Sequence, residues 1–401
     1  MRSRYLLSSS LVIAVTGSPE SISDRRRLIS SRRHHSYEKG PGSRGAENVY
    51  AIRFYRMYDI GKEVDLKKLD AALATAYTPE RAGFTRVNPK SILMQTPPLS
   101  FHLPPLTLGC DGREYTLQAT ARVYDIGAVS LCFILEDRES SSARLKETAL
   151  RFCGQRGLDP LFSDALARIR EILLPTIGTL AIHQGFYEDY TIYVTDKDDP
   201  ALDPVVLLLG DERPVSHPVR EDILKYSLSY YMDDRTILSW DAALIVSPDP
   251  ARDIIELIEF ANIQALELRY YDRVLTQQME KMYDEIEAAD RLSQFRRLRL
   301  YHSIMLGLME TQSEISDITD KVDNLIKVTE DVYYARVYDA ALAVLRIPLW
   351  RESVDRRIEI IRQNYMMLSD EVNIQHSNFL ELVIIILIAI EIILFIVTTF
   401  T

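Results

Sequence analysis

The chain has 401 residues, of which 47% are hydrophobic and 26% charged, the composition of a globular protein that also carries an apolar anchor. Its length allows one large core or two modest ones. The net charge of −11 gives the body of the chain no general attraction for nucleic acid or anionic lipid. Nucleic acid is therefore an unlikely partner except through a local basic segment.

Residues 1–46 are predicted to form a basic leader outside the fold. Residues 1–48 hold nine Arg or Lys against four acids, are rich in Ser and show no hydrophobic periodicity. Three interpretations remain open: a disordered tail or over-extended start, an organelle transit peptide, and a secretory signal with its apolar part at 6–15. The cluster Arg25–Arg27 could contact RNA or lipid headgroups, although such charge runs are usually solvated.

Residues 47–250 are predicted to form a mixed α/β domain of the α+β class, because strands and helices interleave irregularly. Tyr50, Ile52 and Phe54 alternate with smaller or polar residues as in a strand, and Asp65 is placed to cap the helix that follows. Other predicted strands are at 116–124, 128–135, 189–195, 205–209 and 235–246, with helices at 141–152, 161–174 and 220–231 and a proline-rich surface loop at 81–105.

Residues 251–378 are predicted to form a long antiparallel helical stalk. Between Pro250 and Pro348 the chain has no proline and one glycine, Gly307, which is rare outside long helices. Apolar residues recur at three- and four-residue spacing, with acids and lysines between them, as in a coiled coil. We expect two or three helices with turns near 289–292 and 346–348.

Residues 379–401 are predicted to form one C-terminal transmembrane helix. Residues 382–397 are apolar except for Glu391, and the run is long enough to cross a hydrocarbon core of ~30 Å. Fourteen large apolar side chains at roughly −0.5 kcal/mol each outweigh the ~+2.5–3.5 kcal/mol of one carboxyl. A buried core helix or an interfacial helix is the alternative.

Four arginines, Arg351, Arg356, Arg357 and Arg362, precede the predicted span, and no basic residue follows it. Since Lys and Arg mark the cytoplasmic side of a membrane, we expect the domain to face the cytosol, or the matrix in an organelle.

Glu391 is costly as an anion near the centre of a bilayer, so it is expected to be protonated or paired. Because the chain has one predicted span, pairing requires another chain. Glu391, together with Glu381, is therefore the predicted contact for homo-oligomerisation or for docking onto another membrane protein. The alternative is a protonated Glu391 in a monomeric span.

The sequence contains no phosphate loop, GxGxxG, GxSxG or HExxH motif, and its histidines and cysteines show no metal spacing. We therefore predict no catalytic, cofactor-binding or metal-binding residue. The alternative is a membrane-tethered hydrolase or nucleic-acid-processing enzyme whose site uses carboxylates such as Asp189, Asp233, Asp234 or Asp241.

The run KVTEDVYYARVYDAALAVLRIPLWRESVDRRIEIIRQNYMMLSDEV and the span after it resemble the "required for meiotic nuclear division" (YagE-like, Sif2-like) family of membrane-anchored proteins. The resemblance extends over about 49–401 and is most specific in 320–397, where Trp350 precedes the last helix. It implies an oligomeric scaffold without established catalytic residues, linked in mitochondrial relatives to translation at the inner membrane. The sequence looks more like the bacterial members.

These observations together predict a tail-anchored, non-enzymatic scaffold that self-associates, needs no cofactor and presents an α+β domain to an unidentified cytosolic protein partner. The resemblance implies the bacterial cytoplasmic membrane with the domain in the cytosol. The mitochondrial inner membrane with the domain in the matrix is the alternative.

Overall fold

The computed structural model describes residues 50–61, 63–73, 80–81, 92–94, 96–110, 112–137, 142–178, 182, 185–323, 326–328 and 332–400. The predicted leader and its cluster Arg25–Arg27 lie outside these residues. Within them, an N-terminal mixed sheet precedes a series of C-terminal helices, which confirms the α+β class.

A large sheet forms the centre of the described chain. Its strands are β1 (Tyr50–Asp59), β2 (Glu80–Arg81), β4 (Leu99–Cys110), β5 (Arg113–Val123), β6 (Ala128–Asp137), β7 (Tyr187–Thr195), β8 (Ser227–Leu228), β9 (Arg235–Leu238) and β10 (Ala242–Val246). They lie in the order β2-β4-β5-β6-β1-β7-β10-β9-β8, and neighbouring strands are antiparallel except β7 and β10, which are parallel. A separate ribbon pairs β3 (Ile92–Met94) with β11 (Ile326–Val328).

Short helices cover one face of the sheet. They are α1 (Leu66–Leu73), α2 (Ser142–Arg151), α3 (Asp159–Ile177), α4 (Pro204–Leu209) and α5 (His217–Leu224). The C-terminal helices are α6 (Arg252–Asp290), α7 (Gln294–Asp323), α8 (Val332–Val344) and α9 (Ile347–Phe400). The sheet therefore has a hydrophobic core on each face. On β1, Ile52 and Phe54 belong to the core under the short helices, whereas Tyr55 and Met57 belong to the core under the C-terminal helices.

The first half of α6 lies across the second face of the sheet instead of forming a stalk. Every residue from Ile254 to Leu268 is buried, including three glutamates. The sheet covers one side of this segment, and α8 helps to cover the other, where the Tyr338 hydroxyl donates to Gln264 Oε1 at 2.9 Å. The long proline-free pattern predicted the helix correctly, but it did not reveal that half of the helix is a core layer.

The second half of α6 and the first half of α9 run parallel. Trp350 contacts Arg269, and Ser353 bonds Asp272, so successive contacts keep the same sequence separation of 81 residues. Both helices also bury a residue at every seventh position, as in a left-handed coiled coil. These residues are Leu275, Met282 and Ala289 on α6 and Val354, Ile361 and Leu368 on α9.

From the end of α6, α7 runs back toward the domain and packs against both α6 and α9. The turn at 291–293 follows α6 directly, and Tyr301, Leu308 and Ile315 of α7 are buried in the same core cluster. The predicted turns near 289–292 and 346–348 are confirmed. The described chain has four C-terminal helices where two or three were expected. The predicted antiparallel stalk is not confirmed, because half of α6 is a core layer and the rest of the arm contains a parallel pair, α6 and α9, with α7 as an antiparallel return.

Several predicted elements of the sheet domain are confirmed. The strands at 116–124 and 128–135 correspond to β5 and β6, and 235–246 forms the pair β9 and β10. Asp65 accepts from the backbone N–H groups of Lys67 and Lys68 at 3.1 and 3.2 Å, as a helix cap does.

The strand predicted at 205–209 is wrong, because this run forms α4. A short apolar segment reads equally well as a strand or a buried helix. The deciding signals flank it: the Asp203 carboxylate accepts from the N–H of Val205, Pro204 begins the helix, and Gly210 ends it at φ +61°. A side chain at Gly210 would also clash with the Sγ atom of Cys153.

The loop predicted at 81–105 is wrong for its last residues, which belong to β4. Pro104 and Pro105 lie where the register of β4 and β5 shifts between Leu103 and Leu106. A proline is tolerated at such a bulge because it removes no ladder hydrogen bond there. The helix predicted at 220–231 is wrong beyond Leu224, where β8 follows.

Glu267 is a fully buried carboxyl on the sheet-facing half of α6. Neither of its oxygens has a hydrogen-bond partner among the described residues. Burial, and secondarily the neighbouring carboxylate of Asp59, raise the pKa of Glu267 well above its usual value. Burial therefore favours the protonated form of Glu267 in the folded protein.

We predict that Glu267→Gln stabilises the protein increasingly as the pH rises. Below about pH 4 both folded and unfolded chains hold the proton. Above it the unfolded chain releases the proton and the folded chain retains it, so the free energy of unfolding falls by up to about 1.4 kcal/mol per pH unit until the folded pKa is reached. Glu267→Gln removes this loss.

Urea unfolding of the detergent-solubilised full chain between pH 5 and pH 8 measures the effect. The exposed Glu310→Gln serves as the control and should leave the pH dependence unchanged. A stability difference between Glu267→Gln and the unmodified protein that stays constant with pH would contradict the assignment.

Candidate functional site

The C-terminal part of α9 is the one candidate membrane span among the described residues. An 18-residue window within Ile347–Ile393 has a mean hydropathy of 2.1, and none of that window is buried. Large side chains such as Ile388 and Phe395 are about half exposed or more. A core helix would hide these side chains in the protein, so the exposed apolar surface fits a lipid environment.

Glu381 and Glu391 are both exposed on the surface of α9 in the single chain. Glu381 lies at the start of the apolar run and Glu391 within it. The single chain supplies no partner for Glu391 among the described residues. Their assignment to an oligomer contact stays a prediction.

The four arginines of the predicted basic flank make ion pairs within the protein. Arg351, Arg356 and Arg362 pair with acids three or four residues away on α9, namely Asp355, Glu352 and Glu359. Arg357 donates from Nε to Asp272 Oδ1 of α6 at 2.8 Å. These arginines precede Phe379 by roughly 17 to 28 residues, and the positive-inside bias is counted within about 15–20 residues of a span. The segment 363–381 itself has acids and no Lys or Arg.

A second interaction, near the ion pair of Arg357 with Asp272, holds α9 to the domain. The Arg269 guanidinium of α6 lies 5.1 Å from the ring centroid of Trp240 and 5.3 Å from that of Trp350. Arg269 also donates to both carboxylate oxygens of Glu188 on β7 at 2.6 Å. Burial raises the pKa of Glu188, against the opposing effect of Arg269. The sheet, α6 and α9 therefore all contact the guanidinium group of Arg269.

A polar cleft of about 440 Å³ opens between the sheet and the start of α6. Its central group is Arg122 on β5, whose guanidinium donates to Glu259 at 2.7 Å and to Glu256 at 3.1 Å. The Tyr124 hydroxyl donates to the other oxygen of Glu259 at 3.2 Å. Although burial opposes it, the charges of Glu259, Tyr124 and Glu256 raise the pKa of Arg122.

The cleft offers hydrogen-bonding groups but no activated nucleophile among the described side chains that line it. Burial raises the pKa of the Cys132 thiol to about 11, so the thiol stays protonated. The Nε atom of Arg53 and the Oγ atom of Ser130 are enclosed without a hydrogen-bond partner. These enclosed polar atoms could be satisfied by a polar ligand or by ordered water.

The carboxylates of the predicted enzyme alternative do not share one site. Asp189 and Asp241 line a cavity of about 30 Å³, which is room for one or two water molecules. Desolvation, and then the charge of Asp189, raise the pKa of Asp241. Asp234 accepts from the backbone N–H of Tyr230 at 2.7 Å, and Asp233 is exposed in the same loop. Among the described residues no three His, Cys, Asp or Glu side chains are grouped as metal ligands.

Sequence reasoning missed Arg122, Glu256, Glu259 and Arg269. A signal for the glutamates was present: charges within a helical stretch that is otherwise apolar on all sides must be paired or neutral. Their partners lie on strands that are distant in sequence, so the ion pairs themselves could not be predicted from the sequence.

Residues 50–252 match a family described as the N-terminal domain of the uncharacterized protein MJ0711. The chain belongs to this family. The matched segment ends where α6 begins, so it contains the sheet and its short helices.

The uncharacterized protein MJ0711 of Methanocaldococcus jannaschii is 27% identical over 222 residues, which are 52% of this chain and 66% of that protein. The chain thus spans just under two thirds of this relative. No solved structure matches the chain. The resemblance described for 320–397 lies outside the matched segment.

We predict that Arg122→Gln destabilises the fold by about 3–5 kcal/mol, because it leaves Glu256 and Glu259 buried without their cation. Adding Glu259→Gln should recover part of this loss. Urea unfolding of the solubilised protein measures both effects. Arg113→Gln on the same strand, which removes an exposed pair with Glu147, is the matched control and should change little. Equal costs for Arg122→Gln and Arg113→Gln would contradict the account.

Proposed function

We propose that this protein is a tail-anchored, non-enzymatic membrane scaffold that presents its α+β domain to a protein partner. The observation that supports this proposal is the continuity of α9, which contacts the domain at Trp350 and continues to Phe400 as one helix. A flexible linker between domain and anchor would let the domain drift. A continuous helix instead fixes its distance from the membrane.

The distance follows from helix geometry. Trp350 precedes Phe379 by 29 residues, which at 1.5 Å per residue is about 44 Å. Helices α6 and α7 pack against much of this length, where Val354, Ile361 and Leu368 of α9 are buried in the bundle. In our proposal the helical bundle acts as a stalk that holds the sheet domain clear of the lipid.

The proposed orientation places the domain in the cytosol at a bacterial cytoplasmic membrane, or in the matrix at a mitochondrial inner membrane. It draws on the resemblance to the "required for meiotic nuclear division" family and on the basic residues that precede the span. Since three of the four arginines lie more than twenty residues from Phe379, their weight in fixing the orientation is small.

Self-association is the second part of the proposal. A carboxyl in the hydrocarbon core is costly, and a hydrogen bond between protonated carboxyls or to a neighbouring span reduces that cost. Because α9 is the one candidate span in the described chain, Glu391 would find such a partner on another copy. Glu381, nearer the membrane surface, would flank the same contact.

We predict that removing residues 379–401 releases the protein from membranes. Expression of the full chain and of the 1–378 truncation, followed by carbonate extraction and centrifugation, tests this outcome. The full chain should stay in the pellet and the truncation should move to the supernatant. A truncation that remains in the extracted pellet would show that α9 is not the anchor.

We also predict that Glu391→Leu lowers the oligomer size in mild detergent, because it removes the polar contact between spans. Light scattering coupled to size exclusion measures the mass of the protein component. Ile386→Leu, a substitution between apolar residues of the same run, is the control and should keep the oligomer. If Glu391→Leu keeps the same mass as the unmodified protein, Glu391 has no role in assembly.

A further inference from the structure

The turn between α6 and α7 concentrates positive charge at the far end of the helical bundle. Arg291, Arg296, Arg297 and Arg299 lie within nine residues, in a segment without acids that is bounded by Asp290 and Glu310. We call residues 291–299 the arginine turn. Leu292, at its tip, is 38% exposed.

Three of these arginines have no ion-pair partner among the described side chains. Arg291 donates to Glu287 at 2.6 Å, whereas Arg296 and Arg299 are exposed and unpaired. The Nε atom of Arg297 is enclosed without a hydrogen-bond partner. The four arginines of α9 differ in this respect, because each of them is paired within the protein.

The position of these charges along α7 is unfavourable in isolation. Positive side chains in the first two turns of a helix meet the positive end of its dipole, and the first turn of α7 contains no acid to offset them. A local conflict of this kind is expected at functional sites or at strained sites.

The register of the bundle determines where the arginine turn lies. At the separation of 81 residues found between α6 and α9, Arg291 is level with Val372. Phe379 is seven residues farther along α9, or about 10 Å. This distance is about one Debye length at physiological salt, so a charged lipid surface at the start of the span acts on these arginines.

We propose that the arginine turn docks onto the headgroups of anionic lipids at the membrane that α9 enters. The inference rests on the proposed insertion of α9. The turn supplies the positive charge that residues 363–381 of α9 lack, and a second contact with the membrane surface, beside the span, fixes the tilt of the bundle. Leu292 then lies at the headgroup level, about 10 Å from the start of the span.

Fluorescence quenching by spin-labelled lipid headgroups tests this placement in the full chain. Leu292→Trp reports on the turn, while the two natural tryptophans lie at Arg269, about 44 Å from the start of the span and outside the reach of the quencher. The protein is reconstituted into phosphatidylcholine vesicles that contain a headgroup-spin-labelled phosphatidylcholine, either neutral or mixed with anionic phosphatidylglycerol.

We expect stronger quenching of Leu292→Trp in anionic than in neutral vesicles, and none for the unmodified protein. Arg296→Gln with Arg299→Gln should abolish the added quenching, since each arginine near an anionic surface contributes about a fivefold preference. The matched control is Arg351→Gln with Arg356→Gln, which removes one half-buried and one exposed arginine far from the membrane and should leave the quenching intact.

Equal quenching in neutral and anionic vesicles, or quenching that persists after the Arg296 and Arg299 substitutions, would overturn the proposal. Flotation of the same samples distinguishes a turn that does not bind lipid from an α9 that does not insert into the membrane. If the protein does not float with either kind of vesicle, α9 is not inserted, and the anchored scaffold fails together with the inference drawn from it.

Discussion

The interaction on which the rest of the structure depends is the packing of Arg269 between the two tryptophans of the chain. Its guanidinium contacts Trp240 after β9 and Trp350 at the start of α9, and it bonds both oxygens of Glu188 on β7. Cation–π contacts of this kind contribute about 0.5–2 kcal/mol each. Their structural role is to join the sheet, α6 and α9 at one point.

The same helix explains the unusual charge pattern of the core. The first half of α6 is covered on both sides, so its glutamates must be neutralised inside the protein. Glu256 and Glu259 are neutralised by Arg122, which approaches from β5, whereas burial raises the pKa of Glu267 and favours its neutral form. Such groups add little net stability compared with apolar residues of the same size. They do specify which strand lies under which turn of α6.

The fold class, the long helices, their turns and the apolar terminus could all be predicted from periodicity and from the distribution of proline and glycine. The helix at 204–209 could not be predicted from its apolar letters, because a buried strand and a buried helix look alike over so few residues. Its capping residues Asp203 and Gly210 carried the missing information. The strand with Pro104 and Pro105 was not predicted, because two prolines usually indicate a loop and the bulge that accommodates them has no sequence signal of its own.

The candidate site was predictable only in part. The apolar span is a continuous local signal, and the sequence therefore located it. The contacts that hold α9 to the domain join residues about 80 positions apart, such as Asp272 with Arg357, and no local pattern reports a pairing at that separation. For the same reason, arginines that look like a membrane-facing flank in the sequence are partners of acids within the protein.

The central claim is that one unbroken helix connects the domain to the membrane, and a single distance tests it most directly. Spin labels at Leu349→Cys and Phe379→Cys, both exposed positions of α9, can be measured by double electron–electron resonance in lipid nanodiscs, with the natural cysteines replaced. A continuous helix predicts a narrow distribution near 45 Å, from about 1.5 Å per residue. A broad distribution, or one centred well below this distance, would show that α9 bends or breaks before the membrane and would contradict the account.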